Sequence, residues 1–285
     1  MRKVTVVTDS VACLPQHLAA EYGIHVLPVR LAVGNRVYRD TSDDLPPSAV
    51  SQLQRAPAID TTPWSPEVYR RAYDEAGVAT GCVVHVVAFS QFTSTVSLAR
   101  AGAESAQREN QSLQVAVFDS ATTSMAQGFV ALAAARAAAR GGDLATVLAA
   151  AEQVKHSVTA AFTFDSLQCL ARTGRATRLA AWASSLLHVF PVVGLSQGRE
   201  RPIALTRSRN KAKERLIELA RTLDEPDRPL HIAVVTSERC DEAQEIQREI
   251  NETLTPEESL VAIASPVTQA VAGPSLLGFA LYCGQ

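Results

Sequence analysis

Hydroxyl and carboxylate side chains gather where three apolar runs of the chain end. Serine and threonine hydroxyls donate hydrogen bonds, and helices that begin beside them add partial positive charge, so such a ring suits the carboxylate or phosphate of a ligand. Thr61 and Thr62, from a separate loop, can join the same ring. The other polar residues are Asp9 and Ser10 after Val4–Val7, Ser90, Thr93 and Ser94 after Cys82–Ala88, and Asp119 and Ser120 after Leu113–Phe118.

The same residues have other interpretations. Serine, threonine and aspartate after a strand are routine helix caps, and every strand-to-helix turn needs one. A hydrolase acting on a lipid or small ester would use Ser10, Ser90 or Ser120 as its nucleophile, and Asp9 with Asp119 could form a carboxylate pair. The known signatures of nucleotide binding, zinc proteolysis and the serine nucleophile elbow are absent, and no histidine lies at a motif spacing from these serines.

The elements that must position these side chains alternate along the chain. Apolar, β-branched runs are separated by helical stretches, which predicts an α/β fold with a largely parallel sheet in the N-terminal domain. Ligands of such sheets bind at the carboxyl ends of the strands. The pattern restarts near Thr159, so we predict an N-terminal domain over residues 1–157, carrying the hydroxyl-rich site, and a second α/β domain over residues 158–285.

Composition narrows the function classes. A chain of 285 residues suffices for about two domains, and 47% hydrophobic with 20% charged residues is ordinary globular usage. A net charge of −2 argues against a nucleic-acid-binding protein. No apolar run is long enough for a transmembrane helix, which leaves transient contact with a membrane open, and Asp9 interrupts the first apolar run too early for a signal peptide.

Cysteine and histidine usage indicates no metal or redox cofactor. The five cysteines are scattered and form neither a disulfide framework nor a zinc site, which favours reduced thiols in the cytoplasm. The six histidines lie apart in sequence, and His85 and His231 fall within apolar strand patterns. Packing is therefore their predicted role.

Basic residues concentrate in the second domain. They form either a solvated face or a docking patch for an acidic partner, since guanidinium groups bind phosphate and carboxylate in a bidentate way. A protein that acts only through this surface is a third functional alternative. The residues are Arg172, Arg175, Arg178, Arg199, Arg201, Arg207, Arg209, Lys211, Lys213 and Arg215.

Short motifs follow one another over essentially the whole chain. They are Thr8-Asp9-Ser10, Thr61–Pro66, Ser90–Thr95, Asp119-Ser120, Thr173-Gly174-Arg175, Arg207–Ala212 and Gly273–Gly278. Each motif alone is weakly specific. Their order and spacing together resemble the DegV family of bacterial lipid-binding proteins, which includes the fatty-acid-binding subunits of fatty acid kinase.

This resemblance implies a two-domain α/β fold that buries the acyl chain of a long-chain fatty acid. It implies that hydroxyls at Thr61, Thr62 and Thr93 hold the carboxylate, with the backbone of Ser94 close by. The remaining strand-end residues would support these hydroxyls; they are Asp9, Ser10, Ser90, Asp119 and Ser120. A loop that includes Val271, Gly273 and Pro274 would lie near the ligand.

The resemblance also implies a partner. Family members act as carriers without turnover of their own, and a separate ATP-dependent catalytic subunit, the fatty acid kinase, phosphorylates the bound acid. Arg175, Arg207 and Arg209 are then the implied docking residues. The chain departs from the family pattern at Val271, where relatives carry a histidine, so one polar contact to the head group is expected to be missing.

Overall fold

The computed structural model describes residues 2–54, 56, 59–165, 189–238 and 241–284, and the first half of the chain alternates strands with helices. Its elements are β1 (Thr5–Asp9), α1 (Gln16–Tyr22), β2 (His25–Leu27), β3 (Arg30–Val33), β4 (Arg36–Arg39), α2 (Pro47–Gln54), α3 (Pro66–Gly77), β5 (Cys82–Val87), α4 (Thr95–Glu109), β6 (Gln114–Asp119), α5 (Ser124–Ala139) and α6 (Leu144–Ser157).

Four of these strands form a parallel sheet in the order β2-β1-β5-β6. The central strands β1 and β5 are buried along their whole length, as expected for apolar, β-branched runs covered on both faces. The register pairs Thr8 with Val86 and Val87 with Asp119. The carboxyl ends of three strands therefore meet at one edge of the sheet, which confirms the predicted parallel arrangement.

The second half of the chain builds a mixed sheet of six strands in the order β11-β10-β12-β7-β8-β9. Among the described strands of this sheet, β10–β11 is the one parallel pair. The elements are β7 (Thr159–Thr163), β8 (Phe190–Ser196), β9 (Arg199–Thr206), α7 (Arg209–Leu223), β10 (Leu230–Thr236), α8 (Asp241–Leu254), β11 (Glu258–Ile263), α9 (Pro266–Ala272) and β12 (Leu277–Cys283).

Helix boundaries follow local sequence signals. Gly23 ends α1 in the left-handed conformation, with φ of 58°, which glycine adopts without a steric penalty. Pro66 occupies the first turn of α3. Asp143 caps α6, where its carboxylate accepts a hydrogen bond from the amide of Thr146. These starts and stops follow from the residue types at each boundary.

The alanine-rich helix α5 lies between the two sheets. Nearly all of its residues are buried, and they share one hydrophobic core with residues of both sheets, such as Val84 of β5 and Ala280 of β12. Alanine side chains are small enough to let both sheets approach the helix closely. Arg136 on α5 also forms a bidentate ion pair with Glu258 of β11. The predicted boundary at residue 157 falls just before β7, and its division of the chain into two domains stays a prediction.

A hairpin arm, formed by β3, β4 and α2, reaches from the first half of the chain to the second. Its apolar residues, among them Leu31 and Leu45, pack against Val267 and Val271 of α9. Asp40, at the end of β4, is buried between the two halves. Its carboxylate accepts hydrogen bonds from the Ser10 hydroxyl at 2.6 Å and from the Val267 amide at 2.7 Å. Burial raises the pKa of this carboxyl, while these hydrogen bonds oppose the rise.

Two further observations bear on the class of protein. Within the described parts of the chain, no helix has the length and apolar character needed to cross a bilayer.

Cys13, Cys82 and Cys283 are free, buried thiols. Burial raises the pKa of the Cys13 thiol to about 11, so it is protonated at neutral pH and chemically inert.

Candidate functional site

A cavity of about 180 Å³ lies between the carboxyl edge of the parallel sheet and the second half of the chain. Most of its wall is apolar, which suits a hydrocarbon ligand better than a polar one. Both halves supply the apolar side chains, which include Val11, Val29, Pro63, Ala88, Phe92, Phe162, Phe164, Val193, Leu195, Val267, Val271, Ala272 and Leu276.

Hydroxyl groups of Thr93 and Thr95 lie in this wall at the start of α4. Their oxygens are 2.8 Å apart, and the Thr95 amide donates a hydrogen bond to the Thr93 oxygen at 3.2 Å. The hydroxyl of Tyr69, also in the wall, bonds to the Thr95 side chain, and burial raises the pKa of this phenol. The Tyr69 hydroxyl stays protonated. The two hydrogen bonds within this trio use two of its three hydroxyl protons, which leaves one to donate to an oxygen in the cavity.

Of the residues predicted to hold a carboxylate, some line the cavity and others are exposed beside it. Thr61 lies in the cavity wall. Thr62 is exposed, and its amide donates to Asp60 at 2.8 Å. Ser94 is also exposed and is the N-terminal boundary residue of α4. The structure therefore brings Thr61 and Thr93 to the cavity, whereas Thr62 and Ser94 sit beside it.

The buried carboxylate of Asp9 joins the carboxyl ends of strands β1 and β5. It is 1% exposed, and one of its oxygens accepts hydrogen bonds from the Ala88 amide at 2.9 Å and the Gln127 side chain at 3.3 Å. Its other oxygen lies 3.3 Å from Nε2 of His85, whose Nδ1 lies 2.8 Å from the Tyr73 hydroxyl. Asp9 thus fixes the ends of two strands, and His85 has the packing role that its sequence pattern predicts.

The serines of the hydrolase alternative make structural hydrogen bonds. The Ser10 hydroxyl donates to Asp40 and accepts from the Val29 amide. The Ser120 hydroxyl is buried and donates to the carbonyl of Thr122. Ser90 is exposed on the turn that follows β5. The protons of Ser10 and Ser120 are therefore directed to acceptors other than a histidine, which weakens the case for a serine nucleophile.

Of Asp119 and the predicted loop residues Val271, Gly273 and Pro274, only some line the cavity. The Asp119 carboxylate accepts a hydrogen bond from the Ala121 amide and so shapes the turn after β6. Val271 is in the cavity wall, on α9. Gly273 accepts a hydrogen bond from the Ser237 hydroxyl, and Pro274 is exposed. Of this loop, Val271 contributes directly to the cavity surface.

The arginines implied to dock a partner have different environments. Arg209 is held internally by Glu242, Asp165 and the carbonyl of Ser275, at 2.8 to 3.0 Å. Arg207 is exposed. Arg175 lies outside the described residues. The docking role stays a prediction, and Arg207 is the described arginine best placed for it.

A family model described as "Uncharacterised protein, DegV family" matches residues 3–283 of the chain. The chain belongs to the DegV family. A DegV domain-containing protein of Streptomyces coelicolor is 31% identical to it over 97% of both chains. The family resemblance inferred from the motifs is thereby confirmed.

Two solved DegV structures share the fold over the whole chain. A fatty-acid-binding DegV family protein from Thermus thermophilus superimposes with a TM-score of 0.89 and 28% identity, over 99% of this chain and 100% of its own. DegV of Bacillus subtilis, a fatty acid binding protein, superimposes with a TM-score of 0.85 and 26% identity over 100% of both chains. These two structural neighbours of this DegV protein are thus fatty-acid-binding proteins.

Sequence reasoning missed several residues of the site. Phe162 and Val193 come from the second sheet, and Val267 from α9, where an apolar residue looks the same whether it lines a cavity or fills a core. Arg30 of β3 also lies in the wall and was not singled out. A basic residue inside an otherwise apolar extended stretch was the one available signal for it.

Proposed function

We propose that this DegV protein binds a long-chain fatty acid, with the alkyl chain in the cavity and the carboxylate at Thr61 and Thr93. The observation that carries the proposal is an apolar cavity whose wall includes Thr61 and the hydrogen-bonded group of Thr93, Thr95 and Tyr69. The fatty-acid-binding proteins that share the fold support the same reading.

Energetics favour a long chain. Each methylene group transferred from water to an apolar wall contributes about 0.8 kcal/mol, so a chain of palmitate length gains on the order of 10 kcal/mol before the cost of association. A carboxylate buried without partners would cancel much of that gain. The hydroxyls of Thr61 and Thr93 are therefore needed for affinity even though they carry out no chemistry.

We further propose that the protein is a cytoplasmic carrier that presents the carboxylate to a separate fatty acid kinase. A carrier of this kind needs no catalytic group, and the three free thiols suit a reducing compartment. Arg207, Arg209 and Arg175 are the proposed docking residues. Arg209 also donates to Glu242, so beside its proposed docking role it holds the N-terminus of α7, next to Arg207, in place.

Lipid extraction tests the binding proposal. Protein purified without detergent should release a long-chain fatty acid into organic solvent, in a ratio approaching one per chain, as measured by mass spectrometry. Protein stripped of lipid should then recover the same acid from a mixture. Extraction of no fatty acid, together with no uptake of palmitate by the stripped protein, would sink the proposed function.

Thr93→Val tests the head-group assignment. Valine keeps the shape of threonine but lacks its hydroxyl, so the carboxylate loses one charge-assisted hydrogen bond and palmitate affinity should fall by about 10- to 100-fold. Titration calorimetry on stripped protein measures the change. Ser97→Val is the control, since Ser97 lies exposed one turn further along α4 and donates to the Ser94 carbonyl. Equal affinity in wild type and Thr93→Val would remove Thr93 from the site.

A further inference from the structure

Charge is unevenly distributed around the cavity. Among the described residues of the wall, Asp9 and Glu200 are acidic, and Arg30 is the one cation. Asp9 already accepts hydrogen bonds from Ala88 and Gln127 and repels a second carboxylate. An ionised head group is therefore attracted to the Arg30 side of the cavity.

The position of Arg30 is fixed by its neighbours. It begins β3, and the next residue, Leu31, packs in the core of the hairpin arm. Side chains alternate along a strand, so Arg30 points to the opposite face, toward the cavity. The Arg30 side chain is 21% exposed, and its Nη1 donates to the Asp60 carboxylate at 2.9 Å and to the Thr62 carbonyl at 3.2 Å.

Asp60 and Thr62 are the sequence neighbours of Thr61, so these two contacts place the Arg30 guanidinium beside Thr61. Hydrogen bonds from Thr62 and Arg30 hold the pKa of the Asp60 carboxyl at about 2, so the anchor of Arg30 stays charged at neutral pH. Both hydrogen bonds use Nη1. Neither Nε nor Nη2 donates to any residue in the described part of the chain, and these two nitrogens form the edge of a guanidinium that binds a carboxylate in a bidentate way.

We propose that Arg30 is the charged member of the head-group site and makes the cavity selective for fatty acids over neutral lipids of the same length. This inference rests on the proposed function. The Nε–Nη2 edge takes the ligand carboxylate, while Thr61 and Thr93 donate to its remaining lone pairs. A hydroxyl or ester head group gains the threonine hydrogen bonds but not the charge-assisted pair with Arg30.

Calorimetry with stripped protein and two ligands, palmitate and hexadecan-1-ol, tests the inference. In Arg30→Met, palmitate affinity should fall by about 10- to 100-fold, because charge-assisted hydrogen bonds are lost while the apolar stem is kept. Hexadecan-1-ol should bind the variant and the wild type equally. Arg39→Met is the matched control, because Arg39 pairs with Arg30 across the hairpin but is exposed and is not among the described residues that line the cavity.

A second variant separates charge from geometry. Arg30→Lys keeps a cation but loses the planar edge, so its palmitate affinity should lie between those of the wild type and Arg30→Met. Palmitate affinity unchanged in both variants, or an equal loss for palmitate and hexadecan-1-ol, overturns the inference. Neither result would remove the proposed function, which instead fails if wild-type protein binds no palmitate at all.

Discussion

Val193→Trp is expected to lower the affinity for palmitate by about 100-fold or more. Val193 lies on strand β8 and lines the cavity, and an indole in its place occupies space that the alkyl chain needs. Excluding about four methylene groups costs about 3 kcal/mol of binding free energy, since each contributes about 0.8 kcal/mol. Titration calorimetry with acids of increasing length measures the effect, and octanoate should be affected least.

Val193→Ala provides the control at the same position. This variant enlarges the cavity and should retain palmitate within about 1.5 kcal/mol of the wild-type binding free energy, because it removes only part of the wall. Circular dichroism checks that both variants keep the fold. A folded Val193→Trp protein that binds palmitate as tightly as wild type would place the alkyl chain outside the cavity.

Gly278→Ala is expected to lower the free energy of unfolding by about 3 kcal/mol or more. Gly278 lies on β12 opposite Phe162 of β7. A Cβ atom there would overlap the carbonyl oxygen of Ala161 and lie 2.8 Å from the Cα of Phe162. Both obstacles are backbone atoms of a neighbouring strand, so the sheet itself would have to move. Urea unfolding measures the loss.

Gly194→Ala is the matched control for this prediction. Gly194 lies in the same sheet, but a Cβ there would approach only the tip of the Ile203 side chain, at 2.8 Å, and that flexible end can turn away. Its unfolding free energy should change by less than about 1.5 kcal/mol. If Gly278→Ala proved no less stable than Gly194→Ala, close strand approach would not explain the glycine of the C-terminal motif.

Local features of the sequence predicted the first half of the fold well. Buried parallel strands require apolar, β-branched runs such as Cys82–Val87, and their ends need polar turns, so strand type and site position follow from the same pattern. Thr93 and Asp9 line the same cavity because strands β1 and β5 are parallel neighbours. The motifs carried the family assignment, which the matched family model confirms.

Local sequence patterns do not predict the order of distant strands or the contacts between distant loops. β12 is the last strand in sequence, yet it lies between β10 and β7, antiparallel to both, and no local pattern states that order. Arg30 lies beside Thr61 in the cavity wall because the Asp60–Thr62 loop folds onto β3. Thr62 and Ser94 carry the right chemistry but are exposed, and side-chain orientation in a loop cannot be derived from residue type.

The shared helix α5 has a consequence for how a ligand enters and leaves. Many binding proteins open and close about a hinge between two domains. Here the two sheets share the alanine face of one buried helix, and pulling them apart would expose it to water. Opening the two sheets as separate lobes is therefore unfavourable, so we expect any exchange of a bound ligand to leave the core around α5 intact.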